Sequence, residues 1–421
     1  MERVILAALQ TKDKIEIEIE NSLDELESLC FTAGAVSVGR VIQKRYTPDS
    51  AYFIGYGKTL EVKEIVKKLK ADAVIFDDSL KPIQQRNLER LIGSKIVDRT
   101  RVILDIFAYR ARTKEGKLQV ERAEMTYHIA RLVNQNADMD SQTGGIGTRR
   151  GPGERKLESD KRRIRDRIAE LDREIAKIKE RREIQRNRRS NSDLPEVAIV
   201  GYTNAGKSTL LKSLSKSVVY VDDKLFATLD PLTRKIKLPC GRCILLTDTV
   251  GFINKLPHDL IAAFRSTMEE ILRAKCILHV IDASNSDRNK HINTVIGVLK
   301  DIGASGIPII TVYNKSDKLD SFTVSALSGE DVFIISAKNS DGIGKLLQAL
   351  EQKVAPRHLP YKINFSLGEQ ELISRLYEYS NVKSKKYEDN GISVNIECSD
   401  ENLGRIKNII DKLRNKRKED A

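Results

Sequence analysis

The 421-residue sequence contains no apolar run approaching the roughly 20 residues that a membrane-spanning helix needs, so no transmembrane segment is expected. Its start, Met1 to Gln10, has a short apolar stretch (Val4, Ile5, Leu6) followed at once by charged residues. It lacks the basic start, apolar region and small-residue cleavage site of a secretory signal. Cysteine is sparse and odd in number, five in all, which excludes a disulfide framework. A cytoplasmic location is therefore expected. One pair, Cys240 and Cys243, has the CxxC spacing, but no second Cys/His pair accompanies it to complete a zinc site. Between Lys235-Ile-Lys-Leu238 and Ile244-Leu-Leu246 it reads as a β-hairpin turn.

Charge of one sign is in excess. The formal net charge is +13, hydrophobic residues make up 40% and charged residues 32%. That is a globular composition with a highly charged surface, and the surplus suits an anionic partner. The length fits two to four domains. We expect an N-terminal α/β domain over 1–112, a helical hairpin over 113–190, a nucleotide-binding domain over 195–356 and a small α+β domain over 357–421.

In the first domain Val4–Ala8, Val36–Ile42, Ala73–Phe76 and Lys95–Val97 read as strands, alternating with amphipathic helical stretches. That order predicts a parallel sheet. Gly55-Tyr-Gly-Lys-Thr59 resembles a phosphate loop but lacks the four-residue gap between glycines, so a turn into the next helix is the expected reading. From Leu118 to Asn136 the pattern is helical, with Met125, Ile129 and Leu132 on one face. Residues 155–189 predict a long helix whose Leu157, Ile164, Ile168, Leu171, Ile175 and Ile178 form a coiled-coil seam. This segment holds fifteen Lys+Arg against eight Asp+Glu, over half of the chain's surplus. Its Glu170 and Glu174 look unpaired. The connection, 141–154, has five glycines and is longer than a helix–helix turn requires. Gly144, Gly145, Gly147, Gly151 and Gly153 would let backbone approach a ligand, and Arg149 and Arg150 suit phosphates, so the loop is read as an RNA probe.

The third domain carries the chemistry. A strand, Pro195–Val200, runs into Gly201-Tyr-Thr-Asn-Ala-Gly-Lys-Ser-Thr209, a G-x-x-x-x-G-K-[ST] phosphate loop. Gly201, Tyr202, Thr203, Asn204, Ala205, Gly206 and Thr209 are expected to wrap the phosphates through exposed amides at a helix N-terminus. Lys207 would reach the β- and γ-phosphates and Ser208 would ligate Mg2+. A second strand ends in Asp248-Thr249-Val250-Gly251, where Asp248 would hold Mg2+ through water and the Gly251 amide would sense the γ-phosphate. Between them, Phe226-Ala227-Thr228-Leu229-Asp230 is expected to close over the nucleotide, with Thr228 preferred to Thr233 as the residue reaching the metal. Lys207, Thr228 and Gly251 make the expected catalytic set. Asn314-Lys315-Ser-Asp317 follows a third strand. The Asp317 carboxylate can accept from guanine N1–H and its 2-amino group, and adenine would leave it unmatched at a cost of a few kcal/mol. Asn314 would brace the loop, Lys315 would pack over the base, and Ser336-Ala337-Lys338 would contact the guanine oxygen. After Asp-x-x-Gly, where a glutamine often orients water, stands Phe252, so intrinsic hydrolysis is expected to be slow unless another group or a docked partner positions the water.

Together the phosphate loop, Phe226-Ala-Thr-Leu-Asp-Pro231, Asp248-Thr-Val-Gly-Phe-Ile253, Leu256-Pro-His-Asp-Leu260 and the loop Gly144–Glu154 resemble the HflX family of translational GTPases over nearly the whole chain. The resemblance implies a monomeric, cytoplasmic, ribosome-associated enzyme that hydrolyses GTP to GDP with Mg2+. It implies binding to the large (50S) ribosomal subunit and its rRNA through the hairpin, splitting of stalled or idle 70S ribosomes, and hydrolysis stimulated by the ribosome. ATP binding in the N-terminal part is also implied by the resemblance, though only Gly55–Thr59 offers a segment for it. Two alternatives are an ATP-driven RNA-remodelling enzyme acting through 1–190 and a slow switch that recruits a protein or membrane effector.

Overall fold

A computed structural model describes residues 1–133, 152–189, 194–215, 225–226, 228–255, 265–320, 327, 329, 331–354, 359–366, 369–388, 391–398, 403–404 and 406–411. The chain divides into two compact units, 1–237 with 243–345, and 238–242 with 346–421.

The first unit begins with four parallel strands, β1 (Glu2–Gln10), β2 (Ala35–Lys44), β3 (Ala73–Phe76) and β4 (Lys95–Asp98), in the order β2-β1-β3-β4. β1 is buried from Val4 to Leu9, the continuous apolar run of a strand covered on both faces. Because successive side chains point to opposite faces, Val4, Leu6 and Ala8 pack with helices α1 (Glu16–Ala33) and α4 (Arg99–Arg110). Ile5, Ala7 and Leu9 pack with α2 (Tyr56–Leu69) and α3 (Pro82–Ile92). Gly55 is the N-cap of α2, its amide held by Gln43 Oε1 at 2.7 Å. Thr59 Oγ1 folds back to Gly55 O at 3.1 Å and Lys58 pairs with Glu61, so this segment is a helix start.

The hairpin consists of α5 (Lys114–Val133) and α6 (Pro152–Arg189). Its seam follows the heptad reading from Ile164 to Ile178, with Leu171 fully buried and Ile164, Ile168, Ile175 and Ile178 half-buried; the Leu157 side chain lies outside the described residues. Two expectations are corrected. Helix α6 starts at Pro152, a residue suited to a first helical turn, so Gly153 is helical and not part of the loop. Glu170 and Glu174 are both paired, with Arg167 at 2.7 Å and Lys114 at 3.8 Å. Cross-helix pairs Arg122–Asp172 and Arg167–Glu121 flank the seam. Gly144, Gly145, Gly147, Arg149, Arg150 and Gly151 lie outside the described residues.

A six-stranded sheet completes the unit: β5 (Glu196–Gly201), β6 (Leu232–Lys237), β7 (Cys243–Asp248), β8 (Cys276–Asp282), β9 (Ile309–Asn314) and β10 (Val332–Ile334), ordered β10-β9-β8-β5-β7-β6. All neighbours run parallel except the edge pair β6–β7. Cys240 and Cys243 stand at the turn of that pair, both as free thiols. Helices α7 (Lys207–Ser215), α8 (Arg265–Arg273) and α9 (Arg288–Asp301) cover this sheet. The apolar cluster on one face of β1 continues through Phe107 and Ala111 into Tyr202, Phe226, Leu229, Val250 and Ile253. The N-terminal domain and the nucleotide-loop segments thus share one core.

The second unit takes most of helix α10 (Ile343–Val354). It contains the antiparallel sheet β11 (Leu359–Phe365), β13 (Gly391–Cys398), β12 (Asn381–Glu388), in that spatial order, and helix α11 (Gln370–Tyr379). Ile392, Val394, Ile396 and Cys398 of the central strand face Leu372, Ile373 and Leu376. The edge strand β12 carries no periodic apolar signal. Its exposed Lys383, Lys385 and Lys386 are of the kind that guard a sheet edge against pairing.

Candidate nucleotide-binding site

The site lies at the carboxyl ends of β5, β7 and β9, where open α/β sheets bind ligands. β5 is buried from Val197 to Val200 and delivers the loop Gly201–Gly206 directly to the N-terminus of α7. Gly206 has φ +92°, and a Cβ there would stand 2.1 Å from Asn314 Nδ2, so only glycine fits. Asn204, exposed at φ +60°, forms the outer bend. Ala205 is buried, and Thr203 donates its amide to Phe252 O at 2.8 Å. Thr209 is half-buried in the first turn of α7.

Lys207 is buried and donates from Nζ to Gly201 O at 3.1 Å and Tyr202 O at 2.8 Å. Burial pushes its pKa down to about 8, against the opposing pull of Asp248. Gly251 lies against it, since a Cβ there would be 3.0 Å from Lys207 Nζ. Ser208 Oγ donates to Asp248 Oδ2 at 2.6 Å and lies 2.8 Å from Thr228 Oγ1. Thr233, the alternative, instead meets Thr247 at 2.9 Å within the β6–β7 pair. Burial raises the Asp248 pKa, partly offset by Lys207 and the Ser208 and Thr228 hydroxyls. Its Oδ1 is buried and has no hydrogen-bond partner among the described residues. An orphaned carboxylate oxygen beside two hydroxyls is the donor set a hard cation such as Mg2+ takes, directly or through water, so these residues fit that ion. Thr249 Oγ1 is tied to Ile199 O at 2.7 Å and Val250 sits in the shared core.

At the other end, buried Asn314 joins two loops, donating from Nδ2 to Ala205 O and accepting at Oδ1 from Ala337 N, each at 2.9 Å. Asp317 is exposed, with Oδ1 accepting from Ser336 Oγ at 2.6 Å. That bond, helped by Lys338, holds its carboxyl below the usual range and ready to accept from donors. Lys315, at φ +65°, is anchored through Nζ to Asp282 Oδ2 at 2.6 Å.

Three expected site side chains are engaged elsewhere. Phe226 is buried edge-on against Phe107, with ring centroids 4.7 Å apart. Asp230 binds backbone amides at the start of α5. Tyr202 stacks on His291 at 3.6 Å, donates its hydroxyl to Glu25 Oε1 at 2.5 Å and accepts from Asn254 N at 2.6 Å. Ala227 lies outside the described residues. The Phe252 side chain is buried among Val200, Met268, Ile271 and Ile277, pointing into the sheet–helix core. The sequence reading missed the ion network that Tyr202 joins. Buried Arg99 bridges Asp77 at 2.8 Å and Glu25, while Lys255, four residues past Gly251, pairs with Asp77 and with Asp78 at 2.8 Å.

A parallel sheet with a phosphate loop, a D-x-x-G strand end and an N-K-x-D base loop in this order defines a P-loop GTPase. Residues 196–315 match the family described as "50S ribosome-binding GTPase", residues 20–108 "GTP-binding GTPase N-terminal", and residues 110–189 "GTP-binding GTPase Middle Region". The GTPase HflX of Caldanaerobacter subterraneus is 46% identical over 409 residues, 97% of this chain and 94% of that protein. The GTPase HflX of Escherichia coli is 42% identical over 373 residues, 88% and 87% of the two chains. The chain belongs to the HflX family of GTPases. A GTP-binding protein from Sulfolobus solfataricus, solved in complex with GDP, is 27% identical, with 84% of this chain and 98% of that chain covered at a TM-score of 0.43. Among the described residues no helix is long and apolar enough to cross a membrane.

Proposed function

We infer that the chain binds GTP across Gly201–Thr209, Asp248–Gly251, Asn314–Asp317 and Ser336–Lys338, and hydrolyses it to GDP and phosphate in association with the large ribosomal subunit. Asp317 accepts from the guanine N1–H and 2-amino groups, Asn314 holds the base loop on the phosphate loop, and Lys315 packs over the base. Lys207 exchanges the carbonyls of Gly201 and Tyr202 for phosphate oxygens, whose charge keeps its ammonium protonated. Ser208, Thr228 and, through water, Asp248 would hold Mg2+, which neutralises charge on the β- and γ-phosphates when bound. The Gly251 amide lies where it can sense the γ-phosphate.

The observation that carries the partner is Phe252. Its ring is sealed in the core, so the residue after Asp-x-x-Gly has no means of orienting a water. On this reading a docked partner completes the site. The surplus positive charge of 155–189 suits rRNA as the surface of that partner, and the same docking is the route to splitting stalled or idle 70S ribosomes. The protein acts as a cytoplasmic monomer on this reading, with Gly144–Gly151, including Arg149 and Arg150, as the RNA-contacting loop. Co-sedimentation with purified subunits, in GDP and in a non-hydrolysable GTP analogue, tests it. Large-subunit binding that needs the GTP analogue and is lost on K207A or on deletion of 141–154 supports the reading. Binding indifferent to nucleotide contradicts it.

A further inference from the structure

Asp230 stands two residues after Thr228, yet its carboxylate serves a helix 117 residues away in sequence. Oδ2 accepts from the amides of Arg112 at 3.1 Å and Thr113 at 3.0 Å, and Oδ1 from Thr113 Oγ1 at 2.5 Å. Thr113 Oγ1 in turn accepts from Gly116 N at 2.9 Å. A carboxylate against unpaired amides at a helix start satisfies them and complements the helix dipole. The fit is close, since a Cβ on Gly116 would stand 2.5 Å from Asp230 Oδ1.

The residues flanking Thr228 share this attachment. Phe226 packs on Phe107, and Leu229 is buried in the core that holds Ala111 and Val120. Thr228 alone among the described residues of 226–230 turns to the metal site, where it meets Ser208. The segment is thus moulded on α4 and the base of the hairpin, and Thr228 projects from it.

We propose that Asp230 is a positioning residue for GTP hydrolysis: its carboxylate fixes Thr228 over the metal site from the N-terminus of the hairpin's first helix, so that displacement of the hairpin is transmitted to Thr228. The proposal rests on the reading of Thr228 as the residue that closes on Mg2+. It makes the hairpin and this nucleotide-sensing segment one mechanical part.

The test uses full-length D230A, D230N, T113A and D230A/T113A, with T228A as reference. Fluorescent GTP and GDP analogues are titrated with Mg2+ and with EDTA, and amide exchange is followed at residues 112–116. D230A is expected to weaken Mg2+-dependent GTP binding roughly threefold to thirtyfold, the range for loss of a capping carboxylate. GDP affinity in EDTA stays unchanged. D230N, which keeps a capping oxygen, retains most of the GTP preference, and the double variant is no worse than D230A because both act through one cap. In the unsubstituted protein, GTP with Mg2+ slows exchange at 112–116 relative to GDP, and D230A abolishes the difference. Should D230A not fold, T113A and D230N carry the comparison. The proposal is overturned if D230A only lowers thermal stability, weakens GTP and GDP alike, or adds fully to T113A. If T228A also leaves Mg2+-dependent GTP binding intact, the reading of Thr228 falls as well. If T228A abolishes it and D230A does not, the proposal alone falls.

Discussion

Replacing Phe252 by glutamine restores the side chain that orients water in many relatives of this fold, and the structure predicts that it will not accelerate hydrolysis. Phe252 is 1% exposed and packs on Val200, Met268, Ile271 and Ile277. Losing that ring from the core costs about 1.5–3 kcal/mol of burial. A glutamine amide in the same space lacks partners and costs about 1–3 kcal/mol more. The sum, about 2.5–6 kcal/mol, is a large part of the 5–15 kcal/mol that typically holds a domain folded. Urea unfolding of the full chain should show a loss of that order in F252Q, and single-turnover hydrolysis per folded molecule should not rise. A variant of undiminished stability that hydrolyses GTP tenfold faster would mean that residue 252 can swing to the nucleotide, and the argument for an external group would fail.

Other consequences follow from the same geometry. N314A removes the bond from the base loop to the phosphate loop and the bond to Ala337, each worth about 1–3 kcal/mol when its partner stays buried, so GDP affinity should drop at least tenfold by isothermal calorimetry. D317N exchanges an acceptor for a donor and should shift preference from GTP towards xanthosine triphosphate, whose ring offers an acceptor in place of the 2-amino group; unchanged selectivity would refute the assignment of Asp317. Lys207, at about 8 in the free protein, is raised by bound phosphates. Affinity should therefore be level below pH 8 and fall above it, with proton uptake on GTP binding at pH 8.5 visible as a buffer-dependent heat. R99M removes the buried cation between Asp77 and Glu25 while Asp77 keeps Lys255, and should destabilise the first unit by about 1.5–3 kcal/mol.

What was legible in the sequence was local. The strands of the N-terminal sheet, the phosphate loop and the Asn314–Asp317 turn each announce themselves within about ten residues, because backbone geometry and phosphate chemistry dictate residue types at fixed offsets. The heptad seam of α6 is legible for the same reason. What the sequence left unread is long-range or polar. Tyr202 meets Glu25 across 177 positions, a pairing without any spacing signature. Asp230 looked like a nucleotide residue because it sits beside Thr228, and only the folded chain shows it on α5. β12 is an exposed lysine-bearing edge, so its strand character comes from pairing with β13 and not from an apolar pattern. Phe252 could be read as unable to activate water, but its burial, which makes that role structural, needed the fold.

The central claim is the proposal that, with Phe252 buried and unable to position the attacking water, the large ribosomal subunit stimulates hydrolysis. Single-turnover hydrolysis of GTP by the full chain, with and without purified large subunits, tests it most directly. The account predicts slow hydrolysis alone and a strong, salt-sensitive acceleration by the subunit that K207A abolishes. Fast hydrolysis by the isolated chain, unaltered by the subunit, would contradict it.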